Sequence, residues 1–232
     1  LENFSALKFL PVSESAVAAT LGDSIDLTTH QRVMDCCDFL LEKPFPGLLS
    51  VVPAYSEITV FFNPFRTGLS ARAVCDLLSE QLRDIPSRTR LPESVVKIPV
   101  QYGGECGPDL PEVADRLRLS EDEVIRLHSE TVYTVFMIGF LPGFPYLGLL
   151  PRALELPRRD TPRLRVPAGS VAIAGQQSGI YPQASPGGWH IIGHTGILLF
   201  DAAQEPPVRL QPGMKVQFVN EKVTLFPAIL PE

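Results

Sequence analysis

Residues 132–150 read VYTVFMIGFLPGFPYLGLL, and the fold turns on how that stretch is understood. It is almost wholly apolar and close to the roughly 20 residues that a membrane-spanning helix needs. Gly139, Gly143 and Gly148, with Pro142 and Pro145, interrupt it too often for a helix. Breakers at that density suit a buried strand running into a rigid loop, which predicts strand over 131–138 and loop beyond it. Downstream, 171–174, 189–193, 196–200 and 214–219 carry the same short-strand pattern between Gly/Pro-rich loops. Many short strands so punctuated predict a closed or nearly closed β barrel. Upstream, 94–102 (SVVKIPVQY) opens this region as a strand. Two short helices follow; the second begins at a capping box made by Ser120 and Glu123 and ends near His128.

The first third of the chain reads differently. Strands at 6–10, 16–20, 48–52 and 56–62 are expected to alternate with helices. Val33, Cys36, Cys37, Leu40 and Leu41 fall at helical spacing over 28–43, as do Ala73, Val74, Leu77, Leu78 and Leu82 behind a Ser70 cap. A sheet carrying two helices on one face is the economical packing of these pieces. Residues 85–93, IPSRTRLPE, hold two prolines and no apolar periodicity. The chain is therefore expected to divide there, into a small α+β domain at 1–91 and a mainly β barrel domain at 92–232.

Composition narrows the function. The 232 residues are 45% hydrophobic and 20% charged, ordinary for a globular protein. A formal charge of −6 argues against a nucleic-acid partner, because neutralising phosphates needs an excess of Lys and Arg. Cys36, Cys37, Cys75 and Cys106 lack C-x-x-C spacing and read as small buried hydrophobes in a reducing cytoplasm. Neither a secretory signal nor a membrane segment is expected. With no H-E-x-x-H and no Cys/His cluster, no metal site is expected either.

Three blocks hold the candidate site residues: YGGECGPDL at 102–110, GFLPGFPYLG at 139–148, and 157–195, which runs PRRDTPRLRVPAGSVAIAGQQSGIYPQASPGGWHIIGHT. In the second, Phe140, Phe144 and Tyr146 supply rigid apolar walls and Pro142 stiffens the loop. In the third, Arg158, Arg159, Arg163 and Arg165 lie within eight residues. Guanidinium groups grip carboxylates and phosphates, which points to Arg159 and Arg163 as anion or interface contacts whose charge serves a ligand or partner rather than the core. Gly187 and Gly188, just before Trp189, could form an anion-binding nest, and Gln176 and Tyr181 could add hydrogen bonds at the same mouth of the barrel. His128 is the candidate general base. Each has a plainer alternative: a hydrophobic plug, a solvated charge, a tight turn, a helix cap.

Taken together and in this order, the three blocks resemble the 5-oxoprolinase B-subunit family, also called the allophanate hydrolase subunit 1 or histidine-kinase-inhibitor family. The likeness extends more loosely to 47–62, GLLSVVPAYSEITVFF. Ser178 stands where that family tends to have Thr, and Cys106 where a larger aromatic is usual. The resemblance implies a cyclophilin-like barrel behind the α+β domain. It also implies a subunit that works with subunits C and A to hydrolyse 5-oxoproline to glutamate with ATP, and that is inactive alone. Two other roles occur in the family: inhibition of a sensor histidine kinase, and one half of a biotin-dependent urea or allophanate-type carboxyltransferase. The sequence has no G-x-x-x-x-G-K-[ST] loop. ATP is therefore expected on a partner, at a shared interface, or at a non-standard site.

Overall fold

A computed structural model describes residues 7–86, 88 and 94–221. The chain forms two compact units, Leu1–Pro92 and Glu93–Glu232. Most of the linker expected at 85–93 lies outside the described residues.

The first unit runs β1 (Lys8–Ser13), β2 (Ala16–Thr20), α1 (Leu27–Glu42), β3 (Leu48–Pro53), β4 (Glu57–Phe62), a short α2 (Pro64–Thr67) and α3 (Ala71–Gln81). Its strands pair antiparallel in the order β1-β2-β4-β3. Val17 and Ala19 of β2 and Ile58, Val60 and Phe62 of β4 alternate onto one face. There α1 lays down Val33, Cys36, Cys37 and Leu40, and α3 lays down Val74, Cys75 and Leu78. Caps set where the helices begin: Asp26 accepts from Thr29 N–H at 2.8 Å, and Ser70 accepts from Ala73 N–H at 3.3 Å. The expected packing of two helices on one sheet face is the packing the unit adopts.

The second unit continues with β5 (Val96–Tyr102), α4 (Leu110–Leu117), α5 (Glu121–Glu130), β6 (Val132–Ile138), β7 (Pro145–Gly148), β8 (Arg163–Val166), β9 (Ser170–Ala174), β10 (Gln177–Ile180), β11 (Ser185–Gly187), β12 (His190–His194) and β13 (Lys215–Asn220). Seven strands close a barrel in the order β10-β7-β6-β13-β5-β12-β9, with β10 returning to β9. β5 and β13 run parallel; the other barrel pairs are antiparallel. β8 and β11 make a separate ribbon. Every barrel strand contributes to one core, which includes Ile98, Val135, Leu147, Ile173, Ile180, Ile192 and Phe218. The barrel interior is thus a packed core rather than a channel. The Ser120–Glu123 capping box forms as expected.

The sequence reading missed four strands. β7, β8, β10 and β11 fall where glycines and prolines read as loop. Two of those glycines sit in or at the end of strands because a side chain would not fit. A Cβ at Gly148 would lie 2.6 Å from Phe136 Cε2, and one at Gly179 would lie 2.8 Å from Phe144 Cζ. Here glycine makes room for an aromatic ring instead of breaking the strand. Conversely, 196–200 forms no strand and keeps a single bridge, Phe200 to Val208. No helix among the described residues is long and apolar enough to cross a membrane.

Gly179→Ala is expected to destabilise the protein by about 1–3 kcal/mol, the usual cost of forcing extra atoms into a packed site. Urea unfolding of the variant beside the wild type measures this; equal midpoints would mean that Phe144 has room to move aside.

Candidate functional site

At β10 the barrel wall shows both its faces. Ser178 points inward, and Gly179 presents the outer surface. On β9, Ala172 and Ala174 join the outer cluster while Val171 and Ile173 join the inner core. These small outer residues form a floor for Phe144, Tyr181 and Trp189, with Leu141 and Tyr146 packed alongside. Phe144 meets Tyr181 edge-on at 5.2 Å between ring centroids and Trp189 edge-on at 5.7 Å, and lies tilted to Tyr146 at 4.9 Å. Phe140 stands edge-on to Phe144 at 5.5 Å and to Tyr181 at 6.4 Å. The two aromatic segments singled out from the sequence therefore do converge. They meet on the outer wall and not at a barrel mouth, because the interior is already filled.

The loop that carries Phe140 is tightly held. Gly139 N–H donates to the Phe144 carbonyl at 3.1 Å, and Phe144 N–H donates to the Leu141 carbonyl at 3.0 Å. Gly143 has φ +83°, and a Cβ there would lie 2.8 Å from Phe200 Cβ, so only glycine fits. Phe140 has φ +67° and is 60% exposed. A bulky residue in the left-handed region is strained. Pro142 is exposed in this loop. Gln176 is not part of the aromatic group: it lies in the exposed turn between β9 and β10, its carbonyl accepting from Leu150 N–H. The four residues of β10 separate it from Tyr181, five strand steps or roughly 16 Å.

The arginines have a partner that the sequence reading did not single out. Asp109, 3% exposed, accepts from both terminal nitrogens of Arg163 at 2.7 Å each, from Arg159 Nη1 at 2.8 Å and from Ile191 N–H at 2.7 Å. Arg163 was expected to serve a ligand or a partner; its guanidinium instead closes an internal ion pair. Asp109 lies in the first candidate block and the arginines in the third, 50 and 54 residues away. The meeting of acidic and basic residues from two such blocks was the available signal. The Gly187–Gly188 nest does not form either. A nest needs a left-handed residue, and neither glycine has positive φ. Gly187 instead leaves a slot for Tyr181, whose Oη would lie 2.3 Å from a Cβ at that position. The Gly188 carbonyl accepts from Arg159 N–H at 2.8 Å.

His128 lies on the inner side and is fully buried. Its ring stacks on Phe218 at 4.5 Å. Tyr102 Oη sits 2.7 Å from Nδ1, and Ser178 Oγ sits 2.8 Å from Nε2. One tautomer satisfies every donor: Tyr102 O–H donates to Nδ1, Nε2–H donates to Ser178, and Ser178 O–H donates to the Ala172 carbonyl at 3.3 Å. Burial lowers the His128 pKa to about 3 and pushes the Tyr102 phenol well up. The imidazole is thus neutral and enclosed, without the access to substrate that a general base needs. Two hollows in the first unit, about 550 Å³ beside Gln31 and Asp35 and about 890 Å³ beside Phe65 and Leu69, contain none of these residues. Among the described residues no group of three or more His, Cys, Asp or Glu is placed to hold a metal ion.

The closed seven-strand barrel and the helix-covered four-strand sheet occur together in one chain. The chain belongs to the family described as carboxyltransferase domain, subdomain C and D, whose model matches residues 7–210. It is 42% identical over 212 residues to the 5-oxoprolinase B-subunit of Escherichia coli O157:H7, covering 91% of this chain and 94% of that one. Among solved structures, the protein TTHA0988 superposes with a TM-score of 0.79 at 40% identity. That match covers 91% of this chain but spans only 41% of the longer TTHA0988 chain. The Kluyveromyces lactis urea amidolyase, at 16% identity and a TM-score of 0.76 over 93% of this chain and 15% of its own, shows the shared fold alone.

Two measurements test this geometry. Removing one partner of a buried ion pair costs about 3–5 kcal/mol. Because Arg159 and Arg163 keep 24% and 27% of their side-chain surface, Asp109→Ala is expected near the lower end, about 3 kcal/mol, in urea unfolding. A near-neutral result would show that the cluster does not hold the wall. His128 gives a pH test. Its folded pKa lies below its unfolded value of 6.5, so the unfolded chain binds the extra proton. Its contribution is complete above about pH 6.5 and falls as pH drops toward 3, by about 1.4 kcal/mol per pH unit. His128→Gln, which does not titrate, should lose stability more shallowly than the wild type between pH 6 and pH 4; parallel slopes would refute the assignment.

Proposed function

We propose that this protein is a subunit of a cytoplasmic, ATP-dependent 5-oxoprolinase, which opens the lactam ring of 5-oxoproline to glutamate together with subunits C and A. The observation that carries the reading is the 42% identity to the B-subunit of an E. coli 5-oxoprolinase over nearly the whole of both chains. A lactam amide resists water, so ring opening calls for an activating phosphoryl donor. Two features that phosphate would call on are otherwise engaged: the Gly187–Gly188 pair is not in nest geometry, and Arg159 and Arg163 are paired with Asp109. The proposal accordingly places ATP on a partner subunit. The length of TTHA0988, more than twice the span of this fold, supports a working unit larger than this chain.

The test is reconstitution. 5-Oxoproline-dependent ADP release is measured for the purified chain, for subunits C and A together, and for all three. Turnover is expected only from the complete set. Turnover by this chain alone, or by C and A without it, would overturn the reading.

A further inference from the structure

We infer that Arg158, with the accessible faces of Phe140 and Tyr146, is the recognition site for one small carboxylate whose body is a flat, uncharged amide ring. The identity of the ring rests on the proposed function; the rest stands on geometry. Of the four neighbouring arginines, Arg159 and Arg163 bind Asp109, and Arg165 has contacts of its own. Arg158 is exposed, and among the described residues no acceptor is paired with its side chain.

Its backbone is fixed on both sides. His190 Nε2 donates to the Pro157 carbonyl at 3.0 Å, and Arg159 N–H donates to the Gly188 carbonyl. Neighbouring side chains of a non-helical segment project apart. Arg159 is turned to Asp109, and Arg158 leaves the segment on another side. Its charge reaches Tyr146 and Tyr181, where it opposes the burial that raises both phenols. A guanidinium holds a carboxylate through two parallel N–H bonds, and an aromatic face accepts a flat neutral ring. One uncommitted cation matches one carboxylate and not a polyphosphate. Phe140 supplies the second, independent feature, since a strained and largely exposed aromatic ring gains burial when a ring covers it.

Trp189 is the chain's single tryptophan and lies 5.9 Å from Tyr146, so its fluorescence reports occupancy. The full chain is titrated with 5-oxoproline, with 2-pyrrolidinone (ring without carboxylate) and with acetate (carboxylate without ring). The expected result is saturation by 5-oxoproline, with both fragments at least tenfold weaker. Arg158→Gln should weaken 5-oxoproline at least tenfold, leaving 2-pyrrolidinone binding and the urea midpoint unchanged. Phe140→Ala should weaken both ring compounds. Unaltered 5-oxoproline binding by Arg158→Gln, or no saturable response in the wild type, overturns the site. Failed turnover in the reconstituted complex, with Arg158-dependent binding intact, would overturn the subunit reading and spare the site.

Discussion

The buried carboxylate of Asp109 is the constraint on which the outer half of the barrel depends. Four donors converge on it, and its own N–H donates to the Ile191 carbonyl at 2.9 Å. One residue thus ties the start of α4 to β12 and to the segment 157–166. A carboxylate this enclosed is tolerable only when its lone pairs are filled, because desolvation otherwise outweighs the Coulomb gain. Its approach to β12 depends in turn on Gly107, where a Cβ would fall 2.1 Å from the Ile192 carbonyl oxygen. The YGGECGPDL block is therefore a docking loop. Its glycine permits the contact and its aspartate makes it.

β10 shows how one strand serves two environments. Ser178 faces a polar chain sealed inside the core, while Gly179 clears the space in which Phe144 and Trp189 meet outside. Strand alternation makes such separation automatic. It also explains why His128 and the aromatic group, though joined through adjacent residues of one strand, do not share a site.

Much of the fold was legible in the sequence, and the gaps have physical causes. The helices were readable because a 3.6-residue apolar period and the Ser70 and Ser120 caps are local signals. The breaker-rich run at 132–150 was taken as strand and loop, which holds for β6 and the turn after it but not for β7. β7, β8, β10 and β11 were not readable: the reasons for Gly148, Gly179 and Gly187 are rings that lie elsewhere in the chain, and β8 is a short run between two prolines whose partner is β11. The aromatic group was recognised as a set, but its side of the wall depends on barrel closure. The commitment of Arg163 was invisible for the same reason: its partner is 54 residues away. A cluster of arginines announces anion binding and does not say whether the anion is a ligand or the protein's own carboxylate.

That distinction bears on where chemistry can occur. In the interior chain each donor has an acceptor: Tyr102, His128, Ser178 and the Ala172 carbonyl are mutually satisfied. Such a network rigidifies a core and leaves no proton-transfer group open to a ligand. The outer wall has the opposite character, with an exposed aromatic ring in a strained backbone and a guanidinium that no described residue pairs. Aromatic surface and a lone cation can orient a substrate, but an amide is not cleaved by orientation alone; it also needs a group to activate the carbonyl and a route for protons. The proposed reading as a subunit offers a second polypeptide as the source of such groups.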